Sequence, residues 1–249
     1  AQAKGYDAVR EKMLVGRQAM VSGFGPIKVG HTWLDVGGGT GRNLHYLRAQ
    51  LDLFERIIVL DICPELLEIG QENARLSFTP AQCEKISWVC LDINSPDVKQ
   101  ILSKHLHNDL DRGFDTISFS YSLSMIPLWR DALQSAKLLL SAEGRVIISD
   151  FDTYTEEGKS FKDWCIHMWY KQDGVRIQAE SRHHICNEVF AEPEFVTTVA
   201  RFQKKLAGVM IPHYVVCGRK ETITNKDGSR RPSSADLKKM MGGEEKKQD

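Results

Sequence analysis

The sequence has no long hydrophobic run, no excess of charge of either sign and no closely spaced cysteine pairs. No stretch approaches the ~18 apolar residues of a membrane-spanning helix, and we recognise no signal peptide at its start. Lysine and arginine together number 33, as do aspartate and glutamate, so no overall field favours nucleic acid as a partner. The six cysteines lack C-x-x-C spacing, which predicts reduced thiols facing the cytosol rather than a disulfide framework.

The composition divides the chain into two parts. The length of 249 residues suits one α/β domain, or a domain with an appendage. From Glu221 on, apolar residues almost vanish and charges of both signs mix with Gly, Ser and Pro, so this segment cannot bury enough surface to offset its ordering entropy. We predict one domain over residues 1–220 and a disordered tail or interdomain linker over 221–249. The first residue is not Met, which suggests a processed chain or an excised domain.

Residues 32–47, TWLDVGGGTGRNLHYL, have the pattern of a strand, a tight turn and a helix. Gly37, Gly39 and Gly41 recur at alternate positions, and glycine lets a backbone reach positive φ and approach a ligand closely. Asp35 stands two residues before the first glycine. This spacing differs from the dinucleotide fingerprint Gly-x-Gly-x-x-Gly, and the Gly-Lys-Ser/Thr of a phosphate-binding loop is missing. From this stretch alone, a ligand-binding turn and a turn that binds nothing are about equally expected.

Short apolar runs alternate with helix-compatible segments up to about residue 150. The predicted strands after the glycine turn are Arg56–Leu60, Lys85–Leu91, Phe114–Phe119 and Arg145–Ser149, and the predicted helices are Pro64–Leu76, Val98–Leu106 and Asp131–Leu140. Such alternation predicts a parallel, doubly wound α/β sheet with right-handed crossovers. Phe195–Leu206 and Ile211–Arg219 are interpreted as a closing pair of strands.

Polar side chains stand at the carboxyl ends of these strands, where doubly wound sheets bind ligands. They are Asp35, Asp61, Asp92, Tyr121 and Asp150. Asp61 lies 20 residues after Gly41, at the distance where such folds place a carboxylate that accepts hydrogen bonds from ribose hydroxyls. The alternative for Asp61 is a helix cap before Pro64. Asp92 and the backbone N–H of Ile93 could contact an adenine edge.

This combination resembles motif I of the class I S-adenosylmethionine-dependent methyltransferases. The resemblance implies a Rossmann-like, mostly parallel seven-stranded sheet with an antiparallel final strand, and S-adenosyl-L-methionine as cofactor. In that family the glycine loop passes along the methionine part of the cofactor, and the acid before it helps to hold the amino group. The implied cofactor-binding residues are Asp35, Gly37, Gly39, Gly41, Asp61, Ile62, Asp92, Ile93 and Ser120.

Four segments together resemble the methyltransferase part of betaine lipid synthases: YDAVREKMLVGRQAM, LDVGGGTGRN, SYSLSMIPLW and IPHYVVCGRK. The resemblance covers about residues 5–220 and implies successive N-methylation of diacylglycerylhomoserine to the trimethylated betaine lipid. That family also has a second enzymatic part, which transfers the 3-amino-3-carboxypropyl group to diacylglycerol and has no trace here. The tail would then lead towards it. We expect peripheral association with an intracellular membrane, the endoplasmic reticulum in a eukaryote.

Methyl transfer to an amine requires the nitrogen to be oriented towards the methyl group, and each round releases a proton that a nearby group accepts or that water carries away. We predict Tyr121 and Asp150 in these roles, and Tyr6, Trp129 and Tyr170 at the substrate. The alternatives are packing for Tyr121 and Trp129, a turn or cap residue for Asp150, and a core position for Tyr170. Tyr6 belongs to a predicted helix over residues 1–22, which either covers the sheet edge or closes over the cofactor.

Residues 159–171 contain a high density of aromatic side chains, which predicts either core packing or a substrate or membrane contact. His183, His184 and Cys186 lie close in sequence, but no third and fourth ligands stand at zinc-like spacing, so we expect no metal. Two rival functions stay open. One is a methyltransferase of the same fold that acts on a soluble small molecule or a quinone-like ring, and the other is a non-catalytic scaffold or cofactor sensor.

Overall fold

A computed structural model describes residues 14, 16–106, 112–155, 157–171, 175–176, 179–190, 195–206 and 209–220. Their strands are β1 (His31–Val36), β2 (Phe54–Asp61), β3 (Ile86–Cys90), β4 (Phe114–Ser120), β5 (Leu140–Phe151), β6 (Phe195–Leu206) and β7 (Val209–Lys220). They form one seven-stranded sheet in the order β3-β2-β1-β4-β5-β7-β6. Strands β1 to β5 pair in parallel, whereas β7 is antiparallel to both β5 and β6. The predicted fold class is confirmed, including the antiparallel final strand.

The helices connect the strands close to where the sequence places them. They are α1 (Gly16–Gly23), α2 (Asn43–Tyr46), α3 (Pro64–Ser77), α4 (Pro80–Glu84), α5 (Val98–Ser103), α6 (Trp129–Leu139), α7 (Phe161–Lys171) and α8 (Ala179–His184). Short 3-10 turns span Arg48–Leu53, Lys104–Leu106 and Leu123–Met125, and a π-helical turn spans Ile185–Val189. Thr79 and Gln82 form a capping box that starts α4, with Pro80 in its first turn.

The largest difference from the sequence-based expectation is at β5, which begins at Leu140 instead of Arg145. The pairing with β4 shifts register there, because Leu140 lies opposite Phe114 and Arg145 opposite Thr116. Gly144 permits this irregularity, since a Cβ at that position would lie 2.6 Å from the carbonyl oxygen of Phe114. The five additional residues at the start of β5 therefore depend on a backbone contact that hydrophobic periodicity does not register.

Strands of the parallel sheet are buried on both faces. On β1, Leu34 and Val36 belong to one apolar cluster and Trp33 belongs to another on the opposite face, as the two-residue repeat of a strand requires. Val36 pairs with Leu60 of β2 and with Phe119 of β4, so these three strand tips end at one level. This common edge is where the candidate site is built.

Two sequence-based expectations lie at the limits of the described residues. Residues 1–13, the first part of the predicted N-terminal helix, and the predicted tail 221–249 lie outside them. Over the ranges that are described, no helix has both the length and the apolar character to cross a membrane.

Candidate active site

A cavity of about 440 Å³ opens at the carboxyl ends of β1, β2, β3 and β4. Its wall consists of the glycine loop after β1, the tips of β2 and β3, the segment after β4 and the start of α1. The described residues that line it are Leu14, Arg17, Val36, Gly37, Gly38, Gly39, Thr40, Leu60, Asp61, Ile62, Cys63, Leu66, Leu91, Asp92, Ile93, Asn94, Ser120, Tyr121, Ser122, Met125, Ile126, Pro127 and Leu128.

The glycine loop brings bare backbone against the cavity. Gly37 has φ 66°, and a Cβ there would lie 2.3 Å from the Cβ of Ser122. Gly39 has φ 53°, and a Cβ there would meet nothing closer than 3.7 Å. Position 37 therefore requires glycine, because the backbone there lies too close to the segment after β4 for a Cβ atom. Gly39 leaves open space that a ligand can occupy.

Asp61 connects the tip of β2 to the glycine loop. Its Oδ2 accepts a hydrogen bond from the Gly39 N–H at 2.8 Å, and its Oδ1 accepts one from the Cys63 N–H at 3.0 Å. Each oxygen of an ionised carboxylate has a further lone pair, so both can also accept hydrogen bonds from two adjacent hydroxyls in the cavity. The helix-cap alternative does not compete with this role, because the hydrogen bond that Asp61 accepts from the Cys63 N–H, just before α3, uses only one lone pair of Oδ1.

The tip of β3 contributes a second set of polar groups and an apolar surface. Asp92 is exposed on the cavity wall, and its Oδ1 accepts a hydrogen bond from the Asn94 N–H at 2.9 Å. Asn94 also lines the cavity, and its buried Oδ1 has no hydrogen-bond partner among the described residues. Ile93 is buried, whereas Ile62 is 72% exposed. Together these residues offer polar atoms for a base edge and an apolar side chain for a base face.

Asp35 lies behind the glycine loop rather than in the cavity wall. Asn43 donates through Nδ2 to both carboxylate oxygens, at 2.9 and 3.1 Å, and the Ser118 hydroxyl donates at 2.6 Å. Burial raises the pKa of Asp35 to about 6, and the hydrogen bonds from Ser118 and Asn43 partly oppose that shift. Asp35 therefore anchors the loop from below, and Gly41, which also does not line the cavity, supports it beside Trp88.

At the tip of β4 the structure brings Ser120 and Tyr121 to the cavity. The buried Ser120 hydroxyl has no hydrogen-bond partner in the described part of the chain. Tyr121 has φ 54°, a conformation that is rare for residues with a side chain. Its hydroxyl accepts the Gly16 N–H at 2.8 Å and lies 2.9 Å from His213 Nδ1. Burial raises the pKa of Tyr121 and lowers that of His213 to about 4, so both are neutral at pH 7.

The placement of Asp150 on the cofactor-facing rim needs a correction. Asp150 is 1% exposed and does not line the cavity. Its carboxylate accepts hydrogen bonds from the Ser124 N–H at 2.9 Å, the Ser124 hydroxyl at 2.8 Å and the Phe151 N–H at 2.8 Å. Burial raises its pKa to about 6. It holds the turn Leu123–Met125, which forms part of the cavity wall, from behind.

The substrate candidates are not brought together. Trp129 begins α6 and is 7% exposed, with His184 against it edge to face at 5.2 Å and the Arg130 guanidinium 4.3 Å above its ring. It does not line the cavity, and this corrects its expected role beside a quaternary ammonium. Tyr6 lies outside the described residues, and so does the side chain of Tyr170 in α7. Across the described ranges, no group of three or more His, Cys, Asp or Glu side chains could hold a metal ion.

Several residues of the site were missed from the sequence. Asn43 and Ser118 clamp Asp35, and Arg17 and Leu14 cover one end of the cavity. Asn43 stands two residues after Gly41, the last glycine of the loop, and this position is a signal that could have identified it. Ser118 and Arg17 carry no such signal, because each meets the site only through the pairing of distant strands or the packing of α1.

Comparison with known proteins gives one family and several remote relatives. Residues 11–189 match the family described as Methyltransferase domain. The ubiquinone/menaquinone biosynthesis C-methyltransferase UbiE of Ruegeria sp. (strain TM1040) is 26% identical over 161 residues, which are 63% of this chain. The chain spans 58% of the length of that relative.

Solved structures share the fold at low identity. The YcgJ protein of Bacillus subtilis has a TM-score of 0.62 at 12% identity, with coverage of 83% of this chain and 98% of that one. Phosphoethanolamine N-methyltransferase 2 of Haemonchus contortus, in complex with phosphomonomethylethanolamine and S-adenosylhomocysteine, has a TM-score of 0.58 at 12% identity and coverage of 83% and 52%.

Proposed function

Because the chain belongs to this methyltransferase domain family and uses S-adenosylmethionine, we propose that it N-methylates the amino group of diacylglycerylhomoserine in successive steps. The family membership supplies the reaction type and the cofactor. The identity of the acceptor is what we propose, and the apolar residues of the cavity on the β4 side support it best.

The residues present fit the cofactor. Asp61 can accept hydrogen bonds from both ribose hydroxyls, Gly39 leaves room for a ligand against its Cα, and the buried hydroxyl of Ser120 is without a hydrogen-bond partner in the described ranges. A buried polar atom left unpaired costs about 1–3 kcal/mol, so a ligand with polar groups at that position is favoured. We propose that Gly37, Ile62, Asp92 and Ile93 complete the nucleoside contacts, and that Asp35 and Gly41 act through the loop.

When bound, S-adenosylmethionine supplies a methyl group that is already activated on a sulfonium. The protein then has to orient the acceptor nitrogen, exclude water and let the amine lose its proton. Tyr121 does not fit a proton acceptor, because burial raises its pKa and its hydroxyl is already engaged by Gly16 and His213. We propose that Tyr121 shapes the site and that the amine enters in its neutral form.

The observation that carries the acceptor proposal is the apolar lip of the cavity, which consists of Met125, Ile126, Pro127 and Leu128. Met125 is 42% exposed and Leu128 is 59% exposed. These residues come from SYSLSMIPLW, one of the segments that resemble betaine lipid synthases. An apolar lip beside a polar cavity suits an acceptor whose polar headgroup enters and whose glyceryl and acyl part stays at the mouth.

A lipid acceptor needs delivery from a membrane surface, and α7 offers a suitable face. Phe161, Trp164 and Met168 follow the i, i+3, i+7 spacing of one helix face and are 76%, 59% and 47% exposed. The rings of Phe161 and Trp164 stack at 5.9 Å. We propose that this face, the α7 face, binds a membrane surface peripherally on the cytosolic side of an intracellular membrane, the endoplasmic reticulum in a eukaryote.

The proposed acceptor also implies an earlier reaction. Diacylglycerylhomoserine must be supplied by an enzyme that transfers a 3-amino-3-carboxypropyl group to diacylglycerol. We propose that this enzyme is a partner of the chain, either fused through residues 221–249 or separate.

Mass spectrometry of the lipid product tests the acceptor. The full chain is incubated with S-adenosylmethionine and diacylglycerylhomoserine in mixed vesicles, and the expected result is a series of mass gains, each of one methylene. Asp61→Asn serves as the loss-of-binding control, and exposed Asp131→Asn as the matched control that retains activity. Absence of any mass gain in protein that binds S-adenosylhomocysteine by calorimetry would overturn the lipid assignment.

Vesicle co-sedimentation tests the α7 face. The double variant Phe161→Ala/Trp164→Ala should lose most of its vesicle binding, because it removes the two most exposed apolar side chains of that face. The matched control is Leu76→Ala/Leu138→Ala, since these side chains are 81% and 77% exposed on other helices. Equal binding by both double variants would exclude the α7 face as the membrane contact.

A second candidate function is C-methylation of a quinone-like ring. The named activity of the Ruegeria relative favours it, as does the apolar lip, which also suits a prenylated ring. An assay with methyl-labelled S-adenosylmethionine against a quinone precursor, a total lipid extract and a soluble extract separates the two functions and also covers a soluble acceptor. Label in none of the three, from protein that binds the cofactor, would favour a cofactor sensor.

A further inference from the structure

The end of the cavity next to the start of α1 differs in charge from the rest. Arg17 is the one cationic side chain among the described residues that line the cavity, whereas the acids Asp61 and Asp92 lie at the tips of β2 and β3. The cavity is therefore polarised, with negative groups where the nucleoside hydroxyls and base are proposed to bind and a positive group at the opposite end.

The charge of Arg17 acts on the tips of two central strands. Burial is the main cause that raises the pKa values of Asp35 and Tyr121, and the positive charge of Arg17 opposes the shift in both. The guanidinium thus lies within electrostatic reach of the carboxyl under the glycine loop and of the phenol at the end of β4. An anionic group in this part of the cavity would be stabilised by the same charge.

The position of Arg17 is held by an unusual hydrogen bond, which we name the Tyr121 anchor. The Gly16 N–H donates to the Tyr121 hydroxyl at 2.8 Å, and the same hydroxyl lies 2.9 Å from His213 Nδ1 on β7. His213 is neutral at pH 7, because burial lowers its pKa to about 4, so Nδ1 can accept a hydrogen bond from the phenolic O–H. Gly16, the residue directly before Arg17, is therefore hydrogen-bonded to the residue that follows β4.

Two features indicate that the Tyr121 anchor is built for a function. Tyr121 keeps φ at 54°, a strained conformation that persists only where the surroundings enforce it and that occurs most often at ligand sites. A Cβ on Gly16 would lie 2.5 Å from the Tyr121 hydroxyl oxygen and 2.3 Å from Ser149 Oγ. Residue 16 must therefore be glycine for the start of α1 to come this close to the cavity.

We propose that Arg17 forms a carboxylate-binding subsite at this end of the cavity, positioned by the Tyr121 anchor, for the carboxylate of an α-amino acid group. Two sources have this chemistry: the methionine end of the cofactor, and the homoserine headgroup of the proposed acceptor. The acceptor source rests on the proposed function, whereas the cofactor source does not. In the cofactor the sulfonium and the ammonium are cationic, and in the acceptor the attacking amine is neutral, so in either source the carboxylate is the anionic group that a guanidinium selects.

Calorimetry with two nucleosides tests the cofactor source. S-adenosylhomocysteine carries the amino acid group, and 5′-methylthioadenosine lacks it. If the cofactor carboxylate binds Arg17, then Arg17→Gln lowers the affinity for S-adenosylhomocysteine about 10–100-fold, as loss of a charge-assisted hydrogen bond predicts. The same variant should change the affinity for 5′-methylthioadenosine less than about twofold. Arg17→Lys should restore part of the affinity, and Lys28→Gln, at an exposed lysine away from the cavity, is the matched control.

Kinetics with two acceptors tests the other source. If the carboxylate belongs to the acceptor, Arg17→Gln leaves both nucleosides unaffected and raises KM for the homoserine lipid about 10–100-fold relative to an aminopropyl lipid that lacks the carboxylate. Tyr121→Phe, which removes only the anchoring hydroxyl, should give the same selective loss at smaller size. Loss of affinity for both nucleosides equally, or no selective loss in either assay, would overturn the subsite. Failure of lipid turnover with a selective nucleoside effect would overturn the proposed acceptor alone.

Discussion

Four aspartates stand at strand tips along the edge of one sheet, and they divide into two pairs. Asp61 and Asp92 line the cavity, whereas Asp35 and Asp150 are 0% and 1% exposed and hold backbone segments from behind. Asp35 and Asp150 still lie inside their strands, where the pleat sets the direction of each side chain. Asp61 ends β2 and Asp92 follows β3, so both turn towards the cavity. The tip of a strand is readable in the sequence, but the direction of a side chain at that tip is not.

We call Asp35 and Asp150 the inward pair and Asp61 and Asp92 the outward pair. Substitutions in the inward pair should mainly lower the stability of the fold, and substitutions in the outward pair should mainly weaken ligand binding. Asp35→Ala is expected to have the largest effect, a loss of about 3 kcal/mol in the free energy of unfolding, because it leaves the Asn43 and Ser118 donors unpaired and creates a cavity. Urea denaturation measures it. Asp131→Asn, an exposed carboxylate on α6, should change stability by less than about 0.5 kcal/mol. A small loss for Asp35→Ala would end the distinction between the pairs.

In the outward pair, Asp61→Asn should weaken the binding of S-adenosylhomocysteine about 10–100-fold, since a charged acceptor for two hydroxyls is worth about 1.5–3 kcal/mol. The asparagine keeps the size and one acceptor, so the unfolding free energy should change less than it does in Asp35→Ala. Isothermal titration calorimetry measures the affinity. Asp92→Asn sharpens the comparison, because Asp92 is exposed and should cost only a few-fold. A larger effect at Asp92 would reverse the assignment of the two acids.

The pH dependence of stability separates Asp150 from the cavity acids. Burial raises its pKa to about 6, above the ~3.9 of an unfolded chain, so the native state binds the proton more tightly. The stability from this group is therefore greatest below about pH 4 and decreases as the pH rises through 6. The unfolding free energy of the wild type minus that of Asp150→Asn should fall by about 2 kcal/mol between pH 4 and pH 7.5.

Denaturation of both proteins at several pH values gives this difference. Asp35, whose pKa shifts in the same direction, and His213, whose lowered pKa gives the opposite slope, are present in both proteins and cancel. A difference that does not depend on pH would show that Asp150 titrates normally.

The smallest expected effect is a difference in stability between alanine variants of two glycines of the loop. Gly39→Ala should cost about 1 kcal/mol from its positive φ, because a Cβ there meets no atom within 3.7 Å. Gly37→Ala should cost more, since its Cβ would lie 2.3 Å from that of Ser122. Thermal unfolding compares the two. The ranking would be reversed if Gly39→Ala destabilised the fold more than Gly37→Ala did.

Much of the fold was predictable because strand and helix periods are local. The helix α3 was predicted from Pro64 to Leu76 and spans Pro64–Ser77, and the strands β2, β3 and β4 differ from prediction by three residues or fewer at each end. The misplaced start of β5 depends on Gly144 against the backbone of β4. The part of the cavity at the tips of β1 and β2 follows the same logic, because the spacing from the glycines to Asp61 lies within one strand–helix–strand unit.

The part of the cavity at the tip of β4 was less predictable because its parts are distant in sequence. The Tyr121 hydroxyl meets Gly16, 105 residues away, and His213, 92 residues away. Asp150 was expected at the cavity because it stands at the end of a strand, and Trp129 because its ring could face a quaternary ammonium. Contacts with Ser124 and with His184 turn these side chains away from the cavity. Side-chain direction in such a region is the sum of several long-range contacts.

The sequence alone determined the order of the elements, the parallel sheet, the glycine loop and the two acids at the tips of β2 and β3. These features follow from hydrophobic periodicity and from the conformational freedom of glycine, which act between near neighbours in the chain. Only the tertiary structure decided that Asp35 and Asp150 face inward, that Trp129 is covered and that α1 brings Arg17 to the cavity. Those outcomes depend on which distant surfaces pack together, and close packing leaves each side chain a single direction.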